Sequence, residues 1–408
     1  MAATISAQVA TAPWALIRFH SLVGFGVLWN LLAAPWSVVA FLASFLSLPA
    51  LAWGGGLARQ TRAFLDLWAT PLTWLRDSTP IWATRSWCAD PVLAWGGAAC
   101  LAWALWSGSN RRLSQWALGL AGLTAWTLPL MLTTVRQSAP RVISFDVGQG
   151  DATLFEGGGG RVLVDGGGWE VGDFGGRVLV PALAAEGVHR LDAVVLSHFD
   201  RDHCRGLLDL TSFLPVEDVW TGPGWEASEC GRALRGRARR RSGTLMAGDS
   251  RRYGAWSFRV LAPDLRDLGR WRLQSNDSSV VLLAEVAGRR VLLLGDLESE
   301  GERWLAFRRT GELYADVLKV GHHGSATSTT NRLLDVVRPK VAIVSAGADN
   351  PFGHPDPAVL ARLAGRGVTV LRTDRDGTIV VEEGDRGPAE RGVLQHLARR
   401  QLATVADR

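Results

Sequence analysis

The stretch SHFDRDH at residues 197–203 follows the apolar run LDAVVL at 191–196. His198, Asp200, Asp202 and His203 therefore stand together directly after a segment that reads as a β-strand. Imidazole and carboxylate groups spaced this closely favour a divalent metal, because each offers a lone pair at neutral pH. The plainer alternative is a solvated charged turn. A loop that closes a strand is also where a rigid scaffold presents chemistry.

Working outward, residues 142–383 carry short β-branched runs punctuated by glycine. VISFDV, ATLFE, RVLVDGG, LDAVVLSH, FRVLA, SVVLLAEV, RRVLLLGD, ADVLKVGHH, PKVAIVSA, VTVLRTD and GTIVVEE each predict a strand. Helical stretches are expected at 177–187, 298–310, 328–337 and 356–366. Strands with helices interleaved irregularly predict two packed sheets with helices outside, a four-layer α/β/β/α sandwich. Of the eight histidines, His198, His203, His322, His323 and His354 fall at strand ends, beside or equivalent to Asp165, Asp200, Asp202 and Asp296. Alone, Asp296 reads equally well as a turn or helix cap. Alone, His322 and His323 have a pair of hydrogen-bonded neutral imidazoles as their plainer, lesser alternative. Together they describe a site.

The preceding 135 residues belong to a different solvent. They contain seven Arg, three Asp and no Lys or Glu, whereas the remaining 273 residues hold 37 basic and 36 acidic side chains. Thirteen of the 19 Trp lie there, and Trp concentrates at membrane interfaces. Charge-free runs between Arg18 and Arg59, at 91–110 and at 113–135 are each long enough for a membrane pass of about 20 residues. Pro35 and Pro49 break the first into two short passes or a re-entrant pair. Arg111-Arg112 in the cytoplasm would place everything after residue 135 on the outer face. Four Cys, two in each half, match neither a CxxC metal knuckle nor a dense disulfide framework. This composition excludes a simple soluble enzyme, a disordered chain and a disulfide scaffold.

The order VLVDGG (162–167), SHFDRDH (197–203), LLLGD (292–296) and VGHHGS (320–325) resembles the metallo-β-lactamase fold. FDVGQGDA at 145–152, NDSSVVLL at 276–283, LKVGHHGSATST at 318–329 and NPFGHP at 350–355 are similar to the C-terminal domain of ComEC, the inner-membrane DNA-uptake channel of naturally competent bacteria. Residues 18–42 resemble the last part of the ComEC membrane region, although the chain is shorter than a whole ComEC. The resemblance implies an α/β metallo-β-lactamase sandwich at 136–390, preceded by an all-α transmembrane segment at 1–135 and followed by a C-terminal tail at 391–408.

The same resemblance implies a dinuclear centre. In the pattern HxHxDH, Asp200 stands where the second His is usual, and no His lies between His203 and His322. Asn276 or Asp277 is the candidate substitute. A carboxylate-rich site leans from Zn²⁺ toward Mn²⁺ or Mg²⁺, while the affinity order alone favours Zn²⁺, so two ions are expected, Mn²⁺ or Zn²⁺, with Mg²⁺ as a third candidate. The expected ligands are His198, Asp200, Asp202, His203, the bridging Asp296, and His322 or His323. Asp165 is expected to orient the ligand loop, while Asp146 and Asp151 tune or extend the site. Asp202, Asp296 and His354 are the expected catalytic residues; for His354, capping the helix near Asp356 is an equal alternative.

Gln149, Gly150, Gly324 and Ser325 read equally as backbone N–H donors to phosphate or as glycine turns with no ligand, and Arg237, Arg239, Arg240 and Arg241 form a phosphate-tracking patch or a solvated loop. The expected activity is a membrane-anchored DNase that degrades the non-transported strand, with DNA, membrane and further channel subunits or the missing part of ComEC as partners. The expected location is the inner membrane, with the soluble domain on the periplasmic face. The competing functions are hydrolysis of another phosphodiester or ester, and a non-catalytic partial ComEC that contributes helices and a DNA-guiding surface.

Overall fold

The computed structural model describes residues 139–168, 174–264 and 276–383, together with the strands β1 (Ser21–Val23), β2 (Thr84–Ser86) and one near the C-terminus. The chain divides into two compact units, Met1–Val135 with Ala184–Gly187, and Arg136–Leu183 with Val188–Arg408. In the first, β1 and β2 pair antiparallel; the passes expected there otherwise fall outside the described residues. Among the described residues no helix is long and apolar enough to cross a membrane.

The second unit holds two mixed sheets. One contains β3 (Arg141–Ser144), β4 (Thr153–Gly157), β5 (Gly160–Val164), β6 (Leu191–Leu196), β7 (Val216–Thr221) and β8 (Arg241–Thr244). The other contains β9 (Ser250–Tyr253), β10 (Trp256–Ala262), β11 (Val281–Val286), β12 (Arg289–Leu293), β13 (Val317–Lys319), β14 (Val341–Val344) and β15 (Thr369–Arg372). β16 (Thr378–Glu383) and β17 (Leu394–Arg399) return to the first sheet beside β3. In both sheets an antiparallel half gives way to a parallel half, through β5-β6-β7-β8 and β12-β13-β14-β15.

Alternation along each strand produces the layers, because successive side chains point to opposite faces. On β6, Ala193 and Val195 enter the core between the sheets, while Val194 and Leu196 face the outer helices. On β12, Val291 and Leu293 face inward and Leu292 outward. The outer faces are covered by α1 (Val180–Ala185), α2 (Arg201–Leu210) and α3 (Glu229–Arg235) on one sheet, and by α4 (Ser299–Arg308), α5 (Asn331–Val337) and α6 (Pro357–Ala364) on the other. The result is the four-layer sandwich expected from the pattern.

Four features differ from the expectation. β7 was invisible because Glu217 and Asp218 interrupt its apolar run. β8 and β9 are sheet edges rich in arginine, where one flank needs no apolar partner. Leu394–Arg399, expected as tail, pairs with β16. SHFDRDH is half loop and half helix: α2 begins at Arg201, with Asp200 at the N-cap position and Asp202 in the first turn, where the helix dipole favours its charge.

Candidate metal centre

The parallel strands deliver the site. Asp165 follows β5, residues 197–203 follow β6, Asp296 follows β12, and His322 and His323 follow β13. Carboxyl ends of parallel strands are where open α/β sheets gather their ligands. Ligand atoms from Asp151, His203, Asp296 and His323 lie within 4.8 Å of one another, and all four residues are buried.

His203, His198 and His323 are each fixed from the far side of the ring. Asp165 accepts hydrogen bonds from Ser197 N at 2.8 Å, Ser197 Oγ at 2.7 Å and His203 Nδ1 at 2.9 Å. Since the Ser197 hydroxyl proton goes to Asp165, Ser197 Oγ accepts from His198 Nδ1 at 3.0 Å. His323 Nδ1 donates to the Ser345 carbonyl at 3.0 Å. A committed Nδ1–H leaves Nε2 as the ligating atom, the usual outer support of a metal-binding imidazole.

Those Nε2 atoms converge on one carboxylate. His203 Nε2 lies 3.1 Å from Asp296 Oδ1. His323, His198 and His322 Nε2 lie 3.5, 3.7 and 3.8 Å from Asp296 Oδ2. Asp202 reaches His323 Nε2 at 3.3 Å, and Asp200 reaches His198 Nε2 at 3.7 Å.

Close backbone approaches hold these loops. A Cβ on Gly206, in α2, would fall 1.8 Å from the Gly166 carbonyl oxygen, so the Gly-Gly turn after Asp165 can seat directly against the ligand-bearing helix. His322 (φ 47°) and His323 (φ 54°) both occupy the left-handed region, as does Asp165 (φ 59°). Strained backbone of this kind costs on the order of 1–3 kcal/mol per residue and clusters at functional sites. Here it turns two consecutive imidazoles toward the same carboxylate.

Burial pushes the Asp296 carboxyl up, but the charges of His203, His323 and His198 outweigh it and hold it well below the usual range. Conversely, burial lowers His203 and His323, yet Asp296 with Asp165, and Asp296 with Asp151, raise them well above an ordinary imidazole. His198 Nε2 and Asp296 Oδ1 are buried without a hydrogen-bond partner, and such groups cost about 1–3 kcal/mol each when left unsatisfied. A mixed imidazole–carboxylate set with orphaned lone pairs facing one point fits a divalent cation.

The other expected residues divide into those beside this cluster and those engaged elsewhere. Asp151 joins it, paired through both oxygens with Lys319. Asp277 Oδ1 instead accepts from Glu298 N at 2.9 Å and Gly301 N at 3.1 Å, capping α4, and Asn276 sits in the same tight turn. Asp146 turns away to accept from Gly148 N. Gln149 Oε1 accepts from Gly347 N, and Gly150 packs against the Asp202 carbonyl. Gly324 follows His323 with φ 80°, and Ser325 N donates to the His322 carbonyl. Asp356 itself caps α6, so the capping alternative for His354 is not realised. The His354 ring lies 5.6 Å from His322 and 6.3 Å from His323, with Nδ1 buried and unpartnered.

All four arginines of the segment are exposed, and of these Arg240 and Arg241 pair with the buried Asp218. Sequence reasoning passed over Ser197, Lys319 and the Cys204–Cys230 disulfide that ties α2 to α3. Lys319 had a signal, as the one cation inside the apolar segment ADVLKV.

A sandwich of this topology, with a histidine–aspartate cluster at its strand ends, belongs to the metallo-beta-lactamase superfamily, whose family model matches residues 145–348. Among its relatives are ComE operon protein 3 of Bacillus subtilis (strain 168) and Competence protein ComA of Neisseria gonorrhoeae. The first is 30% identical over 92% of this chain and 50% of that protein. The second is 31% identical over 88% of this chain and 48% of that protein. The chain thus spans about half the length of these curated relatives. Among solved structures, the metallo-beta-lactamase fold protein YhfI from Bacillus subtilis is 14% identical, with a TM-score of 0.39, covering 58% of this chain and 96% of YhfI.

Proposed function

We propose that this chain is the hydrolytic part of a DNA-uptake protein of the inner membrane, a metal-dependent phosphodiesterase that degrades the strand not transported. The convergence of four imidazole Nε2 atoms on Asp296 carries the chemical half of this reading. The names of the competence relatives, together with the ComEC-like motifs, support the biological half. Asp296, with His198, Asp200, Asp202, His203 and the His322–His323 pair, would hold two divalent cations, Mn²⁺ or Zn²⁺. Bound divalent cations supply Lewis acidity toward water and phosphate oxygens. Asp165 and Ser197 hold two of the imidazoles in the ligating tautomer. Burial together with the nearby His323 and His322 lowers the pKa of His354, and its ring lies beside the cluster as a hydrogen-bonding group for substrate.

Residues 1–135 form the membrane part in this reading, and the hydrolase domain runs from 136 past 390 to include β17 (Leu394–Arg399). The Cys204–Cys230 disulfide supports the periplasmic face, where such bonds persist. The test is cleavage of a labelled duplex by the detergent-solubilised full chain across a Mn²⁺ titration. Wild type is expected to cleave and Asp296→Asn to lose both metal and cleavage. Equal cleavage by the variant would sink the two-metal assignment.

One observation favours the non-catalytic alternative: the carboxylate expected to replace the missing histidine, Asp277, is committed to capping α4. Elemental analysis of the purified chain decides between them, because a guiding surface requires no metal.

A further inference from the structure

Two anchors on α3 bracket the ligand stretch after β6. At Phe199 the ring lies so close to Gly231 that a Cβ there would fall 2.8 Å from Phe199 Cε1. At Cys204 the anchor is covalent, a disulfide to Cys230, the residue beside Gly231. Asp200, Asp202 and His203 lie between the two anchors, and His198 directly precedes the first. Backbone bonds tie the same turn of α2 to the Gly-Gly turn, from Gly166 N to the His203 carbonyl and from Gly206 N to the Gly167 carbonyl, both at 2.9 Å. The ligand-bearing turn is thus clamped to two neighbours, one of them through a bond that can be opened chemically.

The two sulfurs differ in access. Cys204 is fully buried among the apolar side chains under α2, whereas Cys230 is half-buried at the edge of that layer. A thiolate arriving from solvent therefore reaches Cys230 first, and exchange rates depend on which sulfur is open to attack. α3 itself is seven residues long, with Ser228 Oγ accepting from Gly231 N at 3.0 Å as its cap. A helix this short has little stability of its own, so it steadies the ligand turn through its ties to α2.

We infer that the Cys204–Cys230 disulfide is a redox latch on the metal centre: closed, it holds the first turn of α2 in its ligating position, and opened by a dithiol reductant it frees that turn and weakens metal binding. In the opening step a thiolate of the dithiol attacks Cys230 Sγ. The Cys204–Cys230 bond breaks, a mixed disulfide forms at Cys230, and Cys204 leaves as a thiolate that takes up a proton. The second thiolate of the dithiol then displaces Cys230 Sγ, which is protonated in turn, and the reductant departs as its own disulfide. One electron pair passes from the dithiol to the protein, and the two protons of the dithiol end on Cys204 and Cys230. The site is thereby armed where disulfides persist and disarmed in a reducing compartment. This inference concerns the regulation of the proposed hydrolase and rests on that reading.

The experiment uses the full chain in detergent, either oxidised or reduced with dithiothreitol and desalted under nitrogen. Isothermal titration with Mn²⁺ is the readout, because this ion suits oxygen and nitrogen donors better than freed thiols. Reduction is expected to weaken Mn²⁺ binding about 10–100-fold, the loss typical when the outer support of a metal ligand is removed. The far-UV circular dichroism should stay as it was, and reoxidation should restore the affinity. The double variant Cys204→Ala with Cys230→Ala is expected to bind like the reduced chain and to ignore dithiothreitol, which separates this pair from Cys88 and Cys100. Equal affinity in the oxidised and reduced chains, a dithiothreitol response that persists in the double variant, or loss of the dichroism signal on reduction would each overturn the latch. Oxidised wild type that binds no Mn²⁺ would overturn the latch and the metal centre together. Mn²⁺ binding that follows the redox state, in a chain that cleaves no DNA, would overturn the hydrolase reading and leave the latch standing.

Discussion

Lys319 Nζ lies 2.6 and 2.7 Å from the two carboxylate oxygens of Asp151, and both side chains are buried. The ammonium takes up the charge of a carboxylate that otherwise adds to those of Asp165, Asp200, Asp202 and Asp296 around the cluster. Burial alone would raise the Asp151 pKa, but Lys319 and His323 reverse this and lower it.

The consequence for stability is asymmetric. Lys319→Met leaves a buried carboxylate unpaired and is expected to cost about 3–5 kcal/mol, whereas the double change Asp151→Leu with Lys319→Met should recover most of that loss. Thermal melting of the three proteins measures the difference. A double variant as unstable as the single one would show that the pair does more than neutralise itself.

Asp165 touches no expected substrate position, yet it fixes Ser197 and His203 together. Asp165→Asn removes the acceptor that commits His203 Nδ1–H, and metal affinity is expected to fall about 10–100-fold. Isothermal titration with Mn²⁺ reads this directly. Wild-type affinity in a folded Asp165→Asn variant would place the control of His203 elsewhere.

Glu302, buried in α4, accepts hydrogen bonds from Thr329 N and Thr330 N, and burial pushes its pKa up to about 7. A folded-state pKa above the unfolded value of about 4.5 means that the native chain holds the proton longer. Its stabilising contribution is therefore full below pH 4.5 and is lost as pH rises through about 7, a change on the order of 3 kcal/mol. Glu302→Gln should flatten that part of the stability–pH curve. Parallel curves for the two proteins between pH 4.5 and 7.5 would contradict the assignment.

The layers were legible because burial writes period two into β6 and β12, and the cluster was legible because SHFDRDH, LLLGD and VGHHGS concentrate ligating groups at strand ends. What lay hidden depends on pairing across the fold. Asp277 and Asp202 look alike as letters; only the position of the α4 amides makes one a helix cap. Cys204 and Cys230 are 26 residues apart, and nothing local announces that α2 and α3 bring them together. Arg237 and Arg240 belong to one basic run, separated in role by Asp218 on a strand whose acidic residues concealed it.

That separation makes the last prediction. Arg240 donates to both oxygens of Asp218, at 3.1 and 3.0 Å, and Tyr253 Oη donates to the same carboxylate at 2.8 Å. Arg240, beside β8, and Tyr253, on β9 of the other sheet, are thus both tied to Asp218 on β7, and Arg241 lies 3.8 Å from the same group. Arg237 and Arg239 are exposed and carry the charge available to phosphate. Each phosphate contact contributes about 0.9 to the slope of log K against log salt on duplex DNA. Replacing Arg237 and Arg239 by Ser should therefore reduce the slope by up to about 1.8 and leave the melting temperature unchanged. Arg240→Ser should do the opposite, lowering the melting temperature while the slope stays near wild type. Anisotropy across a salt series, paired with melting curves of the full chain, reads both. If the Arg237 and Arg239 changes leave the slope intact, this run is a solvated edge and DNA is held elsewhere.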